Sequence, residues 1–526
     1  MLVDFFVLQK IKEKIWIFAR ILKVWYHINN CVLKLEVSLM KLKKIVEQLE
    51  YTVLSGSEEI DIQEIKDNAQ MVKPGDVFVC IKGAICDGHE FAKIAIQNGA
   101  VAIVAECEMA IEEPITILQV SNTRHALARM SAAYFEFPAE RLKMIGITGT
   151  KGKTSTAYFT KAMLEEAGHQ VGLIGTVEIE TGKRTLPAKN TTPESIEIHR
   201  YLREMVDAGC TFAVMEVSSQ ALKLFRTEGI EFAVGIFTNL GEDHIGPHEH
   251  EDLGEYLACK KKLFSQCKIG IGNIDDCHFQ DMFQDASCKV ESFGCDEHAD
   301  WRASEIHSVK SGKGIGIGYR VSGNASIEIE VGIPGKYSVY NSLAAMATCW
   351  HFGVTKSEIY RACRNICIKG RNEMVPVSGE YMLMIDYAHN AMSLEHLLST
   401  LREYRPSRLV CLFGCGGNRS KLRRYEMGEV SGRLADLTIL TSDNPRDEEP
   451  QEIINDIKIG IAKTSGEYIE IVQREEAIRY VIKNAKPGDL IVLAGKGHED
   501  YQEIKGKKYT MDEREIVRRI LEEKND

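Results

Sequence analysis

The spacing of hydrophobic and polar positions first becomes regular at Met40. The segment MKLKKIVEQLE has apolar residues at helical spacing and predicts a short amphipathic helix. In VKPGDVFVCIKG a Pro-Gly turn precedes an alternating strand, and FAKIAIQNGAVAIVAE predicts a helix, a glycine stop and a buried strand. These segments predict a small α/β unit that ends near Phe137 and Pro138.

Apolar strands then alternate with helices along the rest of the chain. LKMIGIT predicts a strand and TSTAYFTKAMLEEAG a helix that ends at Gly168, and FAVMEVSS, FAVGIFTNL and NSLAAMATCWHFG continue the alternation. A further unit begins near Gly370, where YMLMIDYAH, RLVCLFGCGG, LTILTSDNP and LIVLAGKGHE pass from strand to loop. Such alternation predicts parallel sheets. We therefore predict an α/β protein with domains at residues 40–138, 139–368 and 369–526, which agrees with about three domains of ~150 residues each.

Composition narrows the class of protein. Lys and Arg number 65 and Asp and Glu number 76, so the net charge of −11 argues against a general nucleic-acid binder. The 15 cysteines form no CxxC pair and no regular spacing, which favours reduced thiols over disulfides or a zinc site. The chain has no run of about 18 apolar residues, so no membrane span is predicted. We expect a cytoplasmic protein; the sequence leaves the oligomeric state open, with a monomer as the default.

Residues 1–39 differ from the rest of the chain. FFVLQKIKEKIWIFARILKVWYHI mixes apolar residues with lysines, and lacks the uninterrupted apolar stretch and cleavage site of a signal peptide. An interfacial amphipathic helix is one interpretation. The other, which we favour, is an extension of doubtful status upstream of a functional start at Met40. N-terminal sequencing of the native protein distinguishes the two.

The sequence GITGTKGKTSTAYF, at residues 146–159, has the features of a phosphate-binding loop but an unusual glycine spacing. The common pattern needs a glycine where Ile147 stands. A strand, a glycine turn and a Lys-Thr pair that opens a helix still provide backbone N–H groups for phosphate oxygens. Lys153 would then reach the β and γ phosphates, and Thr154 would ligate Mg²⁺. A simple glycine turn would not need that pair.

The same loop, GTKGKTST, resembles the ATP loop of the Mur ligases, which build the peptidoglycan precursor and whose pattern is GTxGKT[ST]. The resemblance extends from about Met40 to the C-terminus and rests on several separate motifs. It implies a small N-terminal UDP-binding substrate domain, a central P-loop ATPase domain and a C-terminal Rossmann-like domain that binds an amino acid. It also implies an ATP-binding set, which comprises Gly149, Thr150, Lys151, Gly152, Lys153, Thr154, Ser155, Asn341, Arg371 and His389.

The resemblance implies magnesium ligands beyond Thr154. Glu216 in MEVSSQAL resembles the first ligand and His244 in TNLGEDHIGPHEH the ligand of a second ion. In EYLACKKKLFSQ the spacing Tyr-x-x-x-Lys selects Lys260 over its two lysine neighbours as the carbamylated lysine of the family, whose carbamate can hold Mg²⁺. A solvated basic helix face is the alternative for this lysine run. The segment from His244 to Lys260 is also longer than the family's.

Substrate residues follow from the same resemblance. KNTTPES resembles the loop that holds UDP-MurNAc-dipeptide. The implied dipeptide contacts are Asn190, Thr191, Thr192, Ser218, Gln220 and Arg226. The N-terminal domain departs from the family, because Asn68-Ala69-Gln70 replaces the usual Asp-Ser-Arg near the uracil site, whereas KGAICDGHEF keeps Asp87, Gly88 and His89.

The most informative stretch concerns the incoming amino acid. SDNPRDEEP resembles the DNPR signature of family members that add meso-diaminopimelate, in which Arg446 can pair with the second carboxylate. The implied acceptor contacts are Arg419, Asp443, Asn444, Arg446, Gly495 and Glu499. As a purely structural feature DNPR is a good turn, but it occurs here together with GKGHE.

The resemblance therefore implies an ATP-dependent, ADP-forming amide ligase of peptidoglycan synthesis. It would add meso-diaminopimelate to UDP-MurNAc-L-Ala-D-Glu through an acyl phosphate, with Mg²⁺ as cofactor. Three alternatives stay open: the same reaction with L-lysine, another Mur-type ligase with a different acceptor, and a non-catalytic nucleotide-binding regulator. The Lys153, Glu216, His244 and Lys260 set argues against the regulator.

Overall fold

The structure is a computed structural model that describes residues 40–83, 86–243, 245–246, 249–311, 314–377 and 380–525. The predictions made for residues 1–39 and for His244 lie outside this range. The described residues form two compact units, one up to Phe137 and one from Pro138. None of the helices in the described part of the chain is both long and apolar enough to cross a membrane.

The first unit is the small α/β domain that the sequence predicts. Its main sheet has a parallel part and one antiparallel edge strand, in the order Tyr51–Ser55, Thr116–Val120, Ala102–Ala105, Val77–Val79 and Ile65–Lys66. A second small sheet pairs Met40–Lys41 with Asp61–Ile62. The helices are Leu42–Val46, Ala92–Gln97 and Thr123–Tyr134, with short 3-10 helices at Ala69–Met71 and Gly88–Phe91. The first helix is amphipathic as predicted, since Leu42, Ile45 and Val46 are its buried residues.

The second unit carries two large sheets, which belong to the central and C-terminal domains. The central sheet has the order Thr185–Pro187, Glu178–Glu180, Val171–Ile174, Phe212–Glu216, Lys143–Thr148, Phe232–Phe237, Cys267–Asn273, Lys289–Gly294, Trp301–Ser311, Gly314–Gly323 and Ile327–Val331. Every neighbouring pair from Val171–Ile174 to Trp301–Ser311 is parallel. Its helices are Lys153–Glu166, Ser195–Ala208, Ser219–Lys223, Leu253–Ser265, Phe279–Phe283, Lys336–Trp350 and Lys356–Asn365, with a 3-10 helix at Pro138–Arg141.

The prediction of a parallel sheet is confirmed for this middle part but is incomplete at both edges. The pairs at one edge, Val171–Ile174 with Glu178–Glu180 and Glu178–Glu180 with Thr185–Pro187, are antiparallel. At the other edge Gly314–Gly323 pairs antiparallel with both of its neighbours. Consecutive strands joined by tight turns can pair only in this way, whereas parallel strands need a longer crossover.

A buried helix fixes the P-loop helix against the central sheet. Lys336–Trp350 packs on Lys153–Glu166, and its Leu343 shares a core cluster with Ile145, Phe159 and Val214. Leu343 and Phe159 are fully buried, as are the strand residues they cover. Burial of such side chains typically stabilises a fold by about 1.5–3 kcal/mol each. This packing therefore fixes the position of the P-loop helix relative to the central sheet.

The C-terminal domain has a sheet in the order Glu373–Val375, Met382–Asp386, Asp489–Ala494, Arg408–Phe413, Leu437–Leu440 and Tyr468–Glu470. All pairs are parallel except the first. The helices are Ala391–Glu403, Lys421–Leu434, Pro450–Ile461, Arg474–Lys483 and Glu513–Asn525, and a hairpin pairs Tyr501–Ile504 with Lys507–Thr510. Ligands of open α/β sheets bind outside the carboxyl ends of the strands, and the predicted acceptor residues follow those ends.

Candidate active site

The P-loop leaves the carboxyl end of strand Lys143–Thr148 and enters the helix Lys153–Glu166. Gly149 has φ +145° and Gly152 φ +86°, conformations that favour glycine. A Cβ on Gly149 would overlap Thr238 Oγ1, and one on Gly152 would lie 2.6 Å from Asn341 Oδ1. The unusual glycine spacing thus follows from how closely this loop approaches its neighbours.

The end of the adjacent strand holds the loop in shape. The Thr150 amide donates to the Asn239 carbonyl oxygen at 2.8 Å, and the Lys151 amide to Asn239 Oδ1 at 2.9 Å. The Lys151 carbonyl accepts from Thr238 Oγ1 at 2.6 Å and from Asn239 Nδ2 at 3.0 Å. Sequence analysis missed Thr238 and Asn239. The available signal was that both residues directly follow the apolar residues FAVGIF. These residues form the strand that pairs with the P-loop strand.

Lys153 curls over the loop that precedes it. Its Nζ donates to the Gly149 carbonyl at 2.8 Å and to the Thr150 carbonyl at 3.1 Å. Burial lowers the pKa of Lys153, and the charge of Glu216 partly offsets this effect. The amino group is therefore at the mouth of the loop, where a phosphate oxygen would be a stronger partner than two carbonyls.

Glu216 ends strand Phe212–Glu216 and is 1% exposed. Its Oε2 accepts from Thr154 Oγ1 at 3.0 Å and from Thr176 Oγ1 at 3.0 Å, and its Oε1 from the Thr176 amide at 2.8 Å. Buried carboxylates need such partners. Carboxylate and hydroxyl oxygens are ligands that suit Mg²⁺, so the Thr154–Glu216 pair fits the predicted metal. The sequence analysis missed Thr176, which also hydrogen-bonds Glu216.

Lys260 is 1% exposed and points from helix Leu253–Ser265 to the P-loop. Its Nζ donates to the Gly149 carbonyl at 3.0 Å and lies 4.4 Å from the Tyr256 ring centroid. Burial, followed by repulsion from Lys153, lowers the pKa of Lys260 well below its ordinary value. By contrast Lys262 turns away, with Nζ 3.4 Å from the Leu222 carbonyl.

Next to the undescribed His244, Asp243 pairs with Lys151 at 2.8 Å between Oδ2 and Nζ. The buried His250, six residues before Tyr256, has Nε2 2.8 Å from Ser219 Oγ. Tyr256 OH lies 3.2 Å from Thr150 Oγ1. The Tyr256–Thr150 contact joins the helix that carries Lys260 to the P-loop.

The predicted dipeptide loop lies against the end of the Glu216 strand. Thr192 Oγ1 donates to the Glu216 carbonyl at 2.8 Å and accepts from the Ser218 amide at 3.0 Å, and Arg226 Nη1 donates to the Thr192 carbonyl at 2.9 Å. At 1% exposed, Thr192 serves to position the loop in this structure. Thr191 Oγ1 is 3.1 Å from Thr176 Oγ1.

The other two predicted dipeptide contacts have fewer internal constraints. Asn190 is exposed, and Gln220 is half-buried in the short helix Ser219–Lys223. Both side chains therefore have access to solvent and to a ligand.

Three predicted ATP-binding residues lie outside the P-loop sequence, one on a helix of the central domain and two around Tyr387. Asn341 lies beside Gly152 of the P-loop, and its Oδ1 accepts from Thr156 Oγ1 at 3.3 Å. Arg371 and His389 both contact Tyr387, Arg371 with its guanidinium 4.8 Å from the ring centroid and His389 with Nδ1 2.8 Å from the Tyr387 carbonyl oxygen. The charge of Arg371 also contributes to the lowered pKa of Lys153.

Arg446 is clamped by its own chain. It has φ +51°, its amide donates to the Glu503 carbonyl at 3.0 Å, and Nε donates to Glu503 Oε2 at 3.2 Å. Its Nη1 donates to the Gly417 carbonyl at 2.8 Å. These bonds leave guanidinium N–H groups for a carboxylate. Arg419 is exposed, and its Cγ and Arg446 Nη1 are the side-chain atoms nearest to a Cβ built on Gly416.

The remaining acceptor residues lie together, with Asp443 and Asn444 buried and Glu499 half-buried. Asn444 Nδ2 donates to Glu499 Oε2 at 2.8 Å, and the Asn444 amide to Asp443 Oδ1 at 2.6 Å. Gly495 has φ +106°, and a Cβ there would lie 2.8 Å from Asp443 Oδ2. Lys496, which the sequence analysis did not assign, donates to both Asn444 and Glu499.

In the first unit the retained Asp87 and His89 support local structure. Asp87 Oδ1 accepts from the His89 amide at 3.0 Å, and His89 Nε2 accepts from the Glu106 amide at 3.0 Å. A Cβ on Gly88 would lie 2.6 Å from the Ile81 amide nitrogen. Asn68 caps the 3-10 helix Ala69–Met71 by accepting from the Gln70 amide at 3.0 Å.

Comparison with known protein families assigns the chain that carries this site. Three models cover successive parts of the chain: "Mur ligase family, catalytic domain" at residues 61–137, "Mur ligase middle domain" at 147–349 and "Mur ligase, glutamate ligase domain" at 370–497. The chain belongs to the Mur ligase family, whose ligases are ATP-dependent, and has its three-domain α/β architecture.

Named relatives and solved structures narrow the comparison. The UDP-N-acetylmuramoyl-L-alanyl-D-glutamate–2,6-diaminopimelate ligase of Clostridium perfringens is 41% identical over 492 residues, which is 92% of this chain and 100% of the relative. The ligase of the same name from Clostridium tetani is 40% identical over 490 residues, covering 92% and 100%. A solved structure with that name is 26% identical at a TM-score of 0.68, covering 93% of this chain and 100% of the other. MurF from Acinetobacter baumannii, at 18% identity and a TM-score of 0.61, covers 92% and 99% and shows the shared fold.

Proposed function

We propose that this protein is an ATP-dependent ligase that joins meso-diaminopimelate to the D-glutamate γ-carboxylate of UDP-MurNAc-L-Ala-D-Glu. The names of relatives about 40% identical over nearly the whole chain support this assignment. The observation that carries it is that two sets of residues occur in one chain. The central domain holds a P-loop with Glu216 and Lys260, and the C-terminal domain holds Arg446 and Glu499. The reaction would take place in the cytoplasm, where the peptidoglycan precursor is made.

The chemistry divides into activation and amide formation. ATP phosphorylates the γ-carboxylate, which gives an acyl phosphate and ADP. The acceptor amine then attacks the acyl carbon and phosphate leaves. Because phosphoryl transfer depends mainly on positioning and charge neutralisation, Lys153 would neutralise phosphate oxygens from the position it holds over the loop. The glycine-rich backbone would bind the phosphates through its N–H groups.

Thr154, Glu216, His244 and Lys260 are the residues that would hold magnesium. The fit rests on the Thr154–Glu216 oxygen pair, 3.0 Å apart. When bound, Mg²⁺ neutralises the charge on the phosphates and the carboxylate. Lys260 can contribute as a carbamate: its buried amine has a lowered pKa, and a neutral amine adds CO₂ with loss of one proton. The product is an anionic oxygen ligand.

The substrates would be held by the strand-end loops. Asn190, Thr191, Ser218, Gln220 and Arg226 would bind the UDP-MurNAc-dipeptide, with Thr192 positioning their loop. The Asp87–His89 turn of the first unit would support the UDP end. Asn341 would lie near the adenine, and Arg371 and His389 would respond to the nucleotide from the third domain.

Meso-diaminopimelate has an amino group and a carboxylate at each end. The enzyme would recognise the end that lies away from the attacking amine. Arg446, with Arg419 nearby, would bind the distal carboxylate as a charge-assisted fork. Glu499 would bind the ammonium group at that end, with Asp443, Asn444 and Gly495 shaping the loop. L-Lysine has no distal carboxylate, so it would leave the arginine without its partner.

Phosphate release tests the proposal. The purified protein is given ATP, Mg²⁺, UDP-MurNAc-L-Ala-D-Glu and, in turn, meso-diaminopimelate, L-lysine and other amino acids. We expect phosphate release that depends on both the dipeptide and meso-diaminopimelate. Equal or greater release with L-lysine would move the assignment to that acceptor, and no release with any amino acid would contradict it.

A further inference from the structure

Lys496 is a buried lysine in the C-terminal domain that the catalytic assignment leaves without a role. Lys496 is 0% exposed to solvent. The ammonium group donates to Asn444 Oδ1 at 2.9 Å, to Glu499 Oε2 at 2.8 Å and to the Tyr501 carbonyl oxygen. A lysine has three N–H donors, and all three are used. A buried cation persists only when it is paired and hydrogen-bonded in this way.

The three partners come from different segments of the acceptor site. Asn444 belongs to the DNPR loop, Glu499 to the turn after strand Asp489–Ala494, and Tyr501 to the hairpin. The arrangement is closed, since Asn444 Nδ2 donates to Glu499 Oε2 at 2.8 Å. Lys496 is thus the common hydrogen-bond donor that joins the loop to the turn.

The charge of Glu499 depends on this partner. Burial by itself raises the pKa of Glu499, but the charge of Lys496 and the hydrogen bonds from Lys496 and Asn444 reverse the effect, so that the pKa lies below its ordinary value. The other titratable group facing the carboxylate is Tyr387, whose OH is 3.5 Å from Oε1. Burial lowers the pKa of His498 to about 4, so it is neutral near pH 7. Among the described residues, Lys496 is the cation that hydrogen-bonds Glu499.

We propose that Lys496 is a positioning residue for the acceptor amino acid, which holds Glu499 and Asn444 side by side. Oε2 of Glu499 accepts from Lys496 and Asn444, whereas Oε1 has the longer 3.5 Å contact with Tyr387 OH and can also accept from the acceptor's ammonium group. The inference rests on the proposed function, since it takes Glu499 as the partner of that ammonium group. The alternative is that Lys496 only stabilises the fold.

The test is Lys496→Met, which keeps an unbranched side chain and removes the charge. We expect the KM for meso-diaminopimelate to rise about 10- to 100-fold, the range for losing a hydrogen bond to a charged group. The KM values for ATP and the dipeptide should change less than about twofold, because additive behaviour holds for distant sites. Without its cation Glu499 should have a raised pKa, so the variant's KM for the acceptor should increase further as the pH falls, while the wild type stays flat.

Arg408→Met provides a matched control. Arg408 pairs with Asp489, 1% exposed in its side chain, at the amino ends of the same sheet. It should lower stability without altering the pH dependence of the acceptor KM. If Lys496→Met behaves like Arg408→Met, with an unchanged acceptor KM in a folded enzyme, the positioning role is wrong.

A double-mutant cycle with Glu499→Gln separates this inference from the proposed function. If Lys496 acts through Glu499, then Lys496→Met should lower stability and raise the acceptor KM much less in the Glu499→Gln background than in the wild type. Additive unfolding free energies would overturn the inference. Failure of the wild type to ligate any amino acid would contradict the proposed function instead, and the unfolding cycle would still decide whether the two residues are coupled.

Discussion

At the scale of single residues, Lys153 and Lys260 direct two amino groups at one carbonyl oxygen, that of Gly149. The distances are 2.8 Å and 3.0 Å. Two ammonium groups so close repel each other, and burial removes the water that would screen them. Burial lowers the pKa of both lysines, and repulsion from Lys153 lowers the pKa of Lys260 further. A phosphate at Lys153 and a carbamate at Lys260 would each reduce this repulsion.

Lys153→Ala should abolish ligation and leave the fold intact. The lysine supplies positive charge to the transferred phosphoryl group, and removal of one such preorganised contact commonly lowers kcat by about 100-fold or more. Steady-state phosphate release measures the effect, and thermal unfolding checks the fold. Lys161→Ala, on the same helix but paired with Glu165 and Glu180, is the control. Near-wild-type turnover in Lys153→Ala would mean that this loop is not the ATP site.

Lys260→Ala should be nearly inactive if Lys260 is carbamylated. Depleting CO₂ from the wild type should lower its activity, and bicarbonate should restore it in part, because the neutral amine can react again. The adjacent Lys261→Ala should retain activity and its response to CO₂. An unmodified Lys260 in a fully active enzyme, measured by mass under non-acidic conditions, would overturn this role.

At the scale of elements, strand order determines the shape of the P-loop. The strands Lys143–Thr148 and Phe232–Phe237 are parallel neighbours, so Thr238 and Asn239 emerge beside the loop and bind it. The alternation of strands and helices predicted the parallel middle of the sheet. It could not predict these two residues, because a loop contact depends on which strands become neighbours. The edge strands Glu178–Glu180 and Thr185–Pro187 were missed because they are short and half-exposed.

Gly149→Ala should disrupt the loop rather than the sheet. The added Cβ would overlap Thr238 Oγ1, at a residue with φ +145°. We expect nucleotide binding to fall at least tenfold, as measured by calorimetry, with a folded domain. Gly353→Ala isolates the backbone contribution, since Gly353 has φ +81° and no atom near its Cβ position; it should cost about 1–2 kcal/mol of stability and leave nucleotide affinity unchanged. Unaltered affinity in Gly149→Ala would show that the loop has room to adjust.

At the scale of the whole molecule, the site is assembled from segments far apart in the chain. The DNPR and GKGHE sequences predicted Asn444, Arg446 and Glu499 as acceptor contacts. Lys496 was missed although it is the lysine of GKGHE, and Glu503 was missed although it follows soon after. Their signal was weak because a lysine or glutamate in a turn is usually solvated. Only the fold shows that Lys496 is buried and that Glu503 pairs with Arg446.

Choice of acceptor is the central claim, and one competition experiment measures it. The enzyme receives equal concentrations of meso-diaminopimelate and L-lysine with ATP and UDP-MurNAc-L-Ala-D-Glu, and mass spectrometry counts the two products. The same measurement on Arg446→Ala tests the residue held responsible, with Arg433→Ala, which pairs with Glu395 at the surface, as the control.

We predict that the wild type forms the diaminopimelate product almost exclusively. Loss of a buried charge pair costs about 2–5 kcal/mol, so Arg446→Ala should reduce that preference by roughly 30-fold or more. Its weak activity on lysine should barely change, because lysine has no distal carboxylate to lose. A wild type that prefers L-lysine, or an Arg446→Ala variant that loses both activities equally, would contradict the account.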